Sequence, residues 1–260
     1  MTFGDHLDDL ARATGFLSRL PVPARHFEGH DGSLARAAGM FPLAGLAIGL
    51  GPGLVILALS WTGANPALTA LITLITLTGL TGALHEDGLA DSADALGARG
   101  GREHSLEIMK DSRIGTYGVL ALLSAFSLKA VALTIVITVT GGWTALLLIC
   151  ATAAISRTTM IWHWTRLPPA RPGGVASSVG APEEAAAKLG YALGGASFLI
   201  LVALSSGLIA ALVSFVLIAA AIHRWTAVVC ARIGGHTGDT LGATQQIAET
   251  VCLTTLALLL

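Results

Sequence analysis

Seven stretches of this 260-residue chain run for about the length of a membrane crossing, and none holds more than one Asp, Glu, Lys or Arg: 39–61, 65–84, 116–138, 143–164, 188–204, 208–224 and 245–260. A bilayer core about 30 Å thick is crossed by roughly 20 apolar residues in a helix. Within it every backbone N–H and C=O needs a partner from the same segment, which a helix supplies. The expected fold is therefore all-α, a polytopic integral membrane helical bundle of about seven spans, forming one domain over residues 1–260. The fifth and last stretches are short, and little more than Ser205, Ser206 and Gly207 divides the fifth from the sixth, so the count carries a margin of one. With 12% charged residues the chain has about half the share usual in soluble domains, and its mean hydropathy is +0.74.

Lys and Arg fall on alternate connections. Arg12, Arg19, Arg25 and Arg36 precede the first stretch, and Arg99, Arg102, Lys110 and Arg113 lie between the second and third. Arg166, Arg171 and Lys188 surround the loop after the fourth, and Arg224 and Arg232 follow the sixth. The other connections, near 62–64, 140–142 and 205–207, carry no charge. By the positive-inside rule the N-terminus and all sizeable polar loops face the cytoplasm, which implies a bacterial cytoplasmic (inner) membrane, lipid as the surrounding medium, and a working surface on the cytoplasmic side. A net charge of −1 gives no basic surface for nucleic acid. Cys150, Cys230 and Cys252 lie far apart in apolar sequence, as packing residues do. Asp5, Asp8 and Asp9 interrupt any apolar run at the start, so no cleaved signal peptide is expected. Within residues 1–37, Phe3, Leu7, Leu10, Thr14 and Leu17 recur at helical spacing up to Pro21. That helix either lies on the membrane surface or packs over the cytoplasmic ends of the bundle, and neither reading gives it chemistry. No internal repeat is evident, which argues against an inverted-repeat transporter.

The densest polar segment, residues 85–115, follows the second stretch. In HEDGLADSADALGARGG, Asp87, Asp91 and Asp94 stand at i, i+4 and i+7, within roughly 60° on a helix. Like charges so placed repel unless a cation neutralises them. Hard carboxylate oxygens without Cys suit Mg²⁺ or Mn²⁺, and such metals bridge a diphosphate. His85 joins that face as a general base only if the helix starts near Asp87. In KDSRIGTYG, Lys110 and Arg113 supply positive charge around Asp111, while Gly115 and Gly118 allow close backbone approach at a helix N-terminus, a pattern suited to phosphate. Arg157 and Glu249 lie inside apolar stretches, where an unpaired charge costs at least about 3 kcal/mol, so each is a site candidate. Lys129 also lies in a span, but a lysine there can snorkel. Arg171 sits in the helix-breaking run LPPARPGG. Asp239, in the glycine-rich turn before the last stretch, either caps the following helix or joins the substrate site.

These residues resemble the cobalamin synthase (adenosylcobinamide-GDP ribazoletransferase) family. Its acidic signature reads approximately His-x-Asp-Gly-Leu-x-Asp-x-x-Asp-Gly, matched by His85, Asp87, Gly88, Leu89, Asp91 and Asp94, with Ala95 in place of the final glycine. The second signature, Lys-Asp-Ser-Arg-x-Gly-x-x-Gly, is matched by Lys110, Asp111, Ser112, Arg113, Gly115 and Gly118. FLSRLPVP, FPLAG, PAR and TGDTLGA extend the likeness over nearly the whole chain in order. The resemblance implies transfer of the adenosylcobinamide-phosphoryl group from adenosylcobinamide-GDP to α-ribazole or its 5′-phosphate, with release of GMP and Mg²⁺ as metal, late in cobalamin assembly. On that reading Asp87, Asp91 and Asp94 bind metal, Lys110 and Arg113 neutralise developing charge, and His85 or an unliganded Asp takes the hydroxyl proton. Self-association is left open. A CDP-alcohol phosphotransferase places Arg soon after its first Asp-Gly, which GLADSAD does not; a prenyltransferase would release pyrophosphate, and a transporter would place its charges at the midplane of broken helices.

The orientation is testable by cysteine labelling. Sites introduced near Arg99 and Lys188 should react only from the cytoplasmic side, and sites near Gly63 and Gly141 only from outside; mixed labelling at either pair contradicts it.

Overall fold

The computed structural model describes residues 3–171 and 179–260, so Pro172, Gly173 and Gly174 of the proline-rich run and the side chain of Phe3 lie outside the description. Among the described residues no strand forms. The helices are α1 (Phe3–Leu17), α2 (Phe41–Trp61), α3 (Pro66–Thr81), α4 (Leu84–Gly97), α5 (Arg102–Ile108), α6 (Thr116–Arg166), α7 (Glu184–Ser206), α8 (Leu208–Ile233) and α9 (Gly238–Leu259). All seven apolar stretches are mostly helical, and the protein is a multi-pass helical bundle. Length and apolarity do not confirm the count of seven spans: four helices qualify, with α6 counted once although it holds two of the seven stretches, or five if α3 and α4 together make one broken span. The reasons are local. α3 has only 16 residues, roughly 24 Å at 1.5 Å per residue, and the first half of α9 is filled with Gln245, Gln246 and Glu249.

α6 is 51 residues long but is not one rod. Gly141 has φ 77° and ψ 175°, outside the helical region. Lys129 and Arg157 stand 28 residues apart, which along a straight helix is roughly 42 Å, yet both reach the carboxylate of Glu249. The chain must therefore fold back at Gly141, and α6 is a hairpin of two arms, 116–140 and 142–166.

A second bend sets up the polar end. α3 starts under Asn65, whose side chain accepts from Ala67 N and Leu68 N, with Pro66 in the first turn. It stops where Gly82 and Ala83 take left-handed conformations, φ 64° and 59°. These two residues turn the chain by 89°, so α4 is not a continuation of α3. The corner is pinned by α1: Arg19 N donates to Leu80 O at 2.7 Å, and the Arg19 side chain lies directly over Gly82. α1 itself is docked, with Ala13 and Leu17 fully buried and Asp9 paired to Arg36 at 2.8 Å. This favours the packing reading of α1.

Within the bundle, helices approach through small residues, because lipid gives little apolar drive for helices to associate and close backbone contact does the work. Gly45, Gly49 and Gly53 form one stripe of α2 against the second arm of α6. A Cβ on Gly45 would overlap Ala153 O, one on Gly49 would lie 3.0 Å from Ala153 Cβ, and one on Gly53 2.9 Å from Leu146 Cγ. Gly45→Ala should therefore overpack this seam and cost about 1–3 kcal/mol, read as a lowered unfolding temperature in detergent. Gly79→Ala, whose Cβ would meet nothing within 4 Å, should leave it nearly unchanged; equal effects would refute the close-packing account.

Candidate active site

The acidic helix is held against α9 by two glycines. A Cβ on Gly88 would lie 2.7 Å from Asp239 O, and one on Gly242 would lie 3.3 Å from both Gly88 Cα and His85 Cα. This contact brings two segments 150 residues apart together: the start of α4 and the turn before α9. Between them opens a pocket of about 280 Å³. His85, Asp87, Arg171, His236, Thr237 and Asp239 make its polar lining, and Phe16, Phe41, Leu84, Met160 and Leu241 its apolar lining.

The three aspartates of α4 have unequal surroundings. Asp94 is buried and commits both oxygens to the start of α6: Gly115 N donates to Oδ2 at 2.7 Å and Gly118 N to Oδ1 at 2.9 Å. Gly115 and Gly118 are glycines because a Cβ on either would collide with that carboxylate. Asp91 is half-buried, and its pKa is pushed up to about 6, first by desolvation and then by Asp87, Asp239 and Asp94. Asp239 is also raised, chiefly by burial, although Thr237 donates to its Oδ2 at 3.2 Å and Arg171 lies near. Among the described residues neither Asp87 nor Asp91 has a cationic or hydrogen-bonding partner, so this is an acidic centre short of positive charge. Nor, among them, do three His, Cys, Asp or Glu side chains close into a ready metal cage.

α4 begins at Leu84, not near Asp87, so His85 does not share the aspartate face. It is 1% exposed, its Nε2 has no partner, and its pKa is driven well below the ordinary value by burial, then by Arg157 and Lys129. Such an imidazole is a weak base. Lys110 and Arg113 stay on an exposed loop outside the pocket, and Arg113 Nε bonds both oxygens of Asp111 at 3.0 Å. Arg171 does reach the pocket and donates to Leu106 O at 3.1 Å.

The strap carrying Arg171 is fixed by residues the sequence did not single out. Ala170 N donates to His236 O at 2.9 Å and His236 N to Pro168 O at 2.8 Å. Arg102 donates to Ile233 O at 2.8 Å and also to Ala170 O. Only folding joins these loops, so spacing held no signal for Arg102 or His236.

Below the pocket lies a buried charge network. Lys129 Nζ meets Glu249 Oε1 at 2.9 Å and Arg157 Nη1 meets Glu249 Oε2 at 3.5 Å, all three side chains being at most 3% exposed. Lys129 therefore does not snorkel: its partner is 120 residues away in the chain, invisible to local sequence. Gln245 donates to Glu249 at 2.6 Å, Lys129 also donates to Gln246 at 2.8 Å, and Gln246 donates to Glu86 at 3.1 Å. Thr78 donates to the same Glu86 oxygen at 3.1 Å. The network thus ties α3, α4, both arms of α6 and α9 together.

The fold and this site define a multi-pass helical membrane protein with an acidic pocket built where its polar connections meet. A sequence model of the cobalamin-5-phosphate synthase family matches residues 9–257, and the chain belongs to that family. It is 49% identical over 255 residues to an adenosylcobinamide-GDP ribazoletransferase of Sinorhizobium medicae, and 47% identical over 255 residues to one of Rhizobium meliloti, covering 96% of each chain in both cases. A protein of the same name from Brucella ovis is 42% identical over 247 residues, 95% of each chain. No solved structure matches.

The network predicts unequal costs. Glu249→Leu leaves two buried cations without their acid, which should cost about 3–5 kcal/mol and collapse the yield of folded protein. Arg157→Met leaves Glu249 paired to Lys129 and should fold with a smaller loss. Thermal unfolding in detergent compares them, and equal destabilisation would contradict the triad.

Proposed function

We propose that this chain is itself an adenosylcobinamide-GDP ribazoletransferase: it joins the adenosylcobinamide-phosphoryl group to a ribose hydroxyl of α-ribazole or α-ribazole 5′-phosphate and releases GMP. The observation that carries this is the convergence of Asp87, Arg171 and Asp239, from three distant segments, on one pocket. The hydroxyl oxygen bonds to the phosphorus on the cobinamide side. The bond from that phosphorus to the bridging oxygen breaks, and GMP leaves with the electron pair.

Asp239 is the preferred acceptor of the hydroxyl proton, since burial raises its affinity for a proton while His85 is held neutral and weakly basic. Arg171 faces the same pocket and offsets negative charge on the phosphoryl oxygens. Asp94 acts through the start of α6, keeping the loop with Lys110 and Arg113 beside α4. A divalent cation fits the donor set: Asp87 and Asp91 offer hard oxygens with no competing cation. Mg²⁺ in particular is held by one or two carboxylates plus substrate phosphates rather than by an all-protein cage. When bound it supplies positive charge across the diphosphate. The concentration of Lys and Arg on the loops around the site supports a cytoplasmic orientation in a bacterial inner membrane.

The test is purified protein given adenosylcobinamide-GDP, α-ribazole phosphate and Mg²⁺, with GMP and the joined corrinoid measured. Asp87→Asn and Asp91→Asn should each lower turnover by about 100-fold or more, partly rescued by excess Mg²⁺. Asp94→Asn should instead lower thermal stability with the Mg²⁺ dependence unchanged, and the exposed Glu103→Gln and Glu107→Gln should be near normal. Near-normal turnover in the Asp87 and Asp91 variants would falsify the metal assignment, and release of CMP or pyrophosphate in place of GMP would point to a different transferase.

A further inference from the structure

The pocket has apolar lining that phosphate chemistry does not use. Phe16, at the end of α1, stacks on Phe41 of α2 with ring centroids 6.1 Å apart and planes 20° apart. Phe41 contacts Trp164 at 6.2 Å, and Trp164 meets His236 edge-on at 6.2 Å. Phe41 and Trp164 are at most 2% exposed and are core, but Phe16 is 37% exposed and stands at the pocket. With Met160 and Leu241, the two phenylalanines supply apolar lining to the pocket that Asp87 and Asp239 also line, and of the four it is Phe16 that exposes substantial surface. The exposed ring of Phe16 suits a flat apolar group, through stacking.

We infer that this lining is the subsite for the benzimidazole base of the ribazole acceptor, with Phe16 of the N-terminal helix as its outer face. The inference rests on the transferase reading above, which offers three bulky groups to be placed. Size excludes the corrinoid, since about 280 Å³ lies just below the roughly 300–1,000 Å³ that drug-sized ligands fill. Guanine presents polar atoms around its edge, and burying them against Phe16, Phe41, Met160 and Leu241 would leave them without partners. The base of ribazole is a fused bicycle whose only free polar ring atom is one nitrogen. His236, on the same pocket, keeps a buried Nδ1 without a partner, a single polar atom to match. A base held there keeps its ribose in the pocket that Asp87 and Asp239 line. α1 is thereby part of the binding machinery, and the contacts of Arg19 with Leu80 and Gly82 hold it to the corner where α4 begins.

The test is steady-state kinetics with each substrate varied in turn, on wild type, Phe16→Ala and Phe16→Tyr, with unfolding temperatures recorded for all three. Phe16→Ala should raise KM for α-ribazole roughly tenfold while KM for adenosylcobinamide-GDP stays within about twofold, and Phe16→Tyr, which keeps the ring, should restore the first. Direct titration of α-ribazole without the second substrate should show the same weakening in Phe16→Ala. If KM for adenosylcobinamide-GDP rises instead, the lining holds guanine or corrinoid and the inference is overturned. It is overturned equally if an active, stable Phe16→Ala binds α-ribazole as wild type does. A wild type that binds α-ribazole but makes no product would sink the transferase reading and leave the base subsite standing.

Discussion

Glu249 holds two cations in the interior of a membrane bundle, and much of the structure is arranged around that fact. An unpaired charge at such depth costs several kcal/mol, so the three groups must meet wherever their helices are placed. Lys129 comes from the first arm of α6, Arg157 from the second, and Glu249 from α9. Their meeting fixes the fold-back at Gly141 and sets α9 against both arms. The single acid does not balance two cations, and Glu86 of α4, reached through Gln246, supplies the second negative charge. Buried ion pairs add little net stability but penalise arrangements that separate them.

The same cluster governs the site. Because Glu86 is bonded to Gln246 and Thr78, the first turn of α4 is anchored to both α9 and α3. Asp87, the next residue, is thereby placed at the pocket. Polar groups separate by sign: the cations Lys129 and Arg157 are buried, while Asp87, Asp91 and Asp239 lie close enough to repel one another. The proposed binding of a divalent cation with a diphosphate rests on that imbalance. Asp94, on the same helix, is diverted to two backbone amides and joins α4 to the entrance of α6.

Close approach is the second constraint, and it explains residue types that charge does not. Gly88 and Gly242 let α4 and α9 touch, Gly115 and Gly118 make room for the Asp94 carboxylate, and Gly45 lets α2 meet α6. In each case a single methyl group would displace an element that carries a site residue.

The sequence by itself determined that the chain is a helical membrane bundle, because backbone hydrogen bonding in lipid leaves a long apolar segment no other choice. It also marked the acidic and basic signature segments and the intramembrane Arg157 and Glu249, since charges there are costly and visible in one dimension. The spacing of Asp87, Asp91 and Asp94 put three carboxylates on one helical face, and α4 is helical throughout that stretch. Only the tertiary structure decided what each acid does: Asp94 meets amides 21 and 24 residues away, while Asp239 arrives beside Asp87 from the other end of the chain. It likewise paired Lys129, turned His85 inward, left Lys110 and Arg113 outside the pocket, and brought Phe16 to its wall. These outcomes depend on contacts between distant segments, and periodicity reports only which residues share a face, never which face of another helix they will meet.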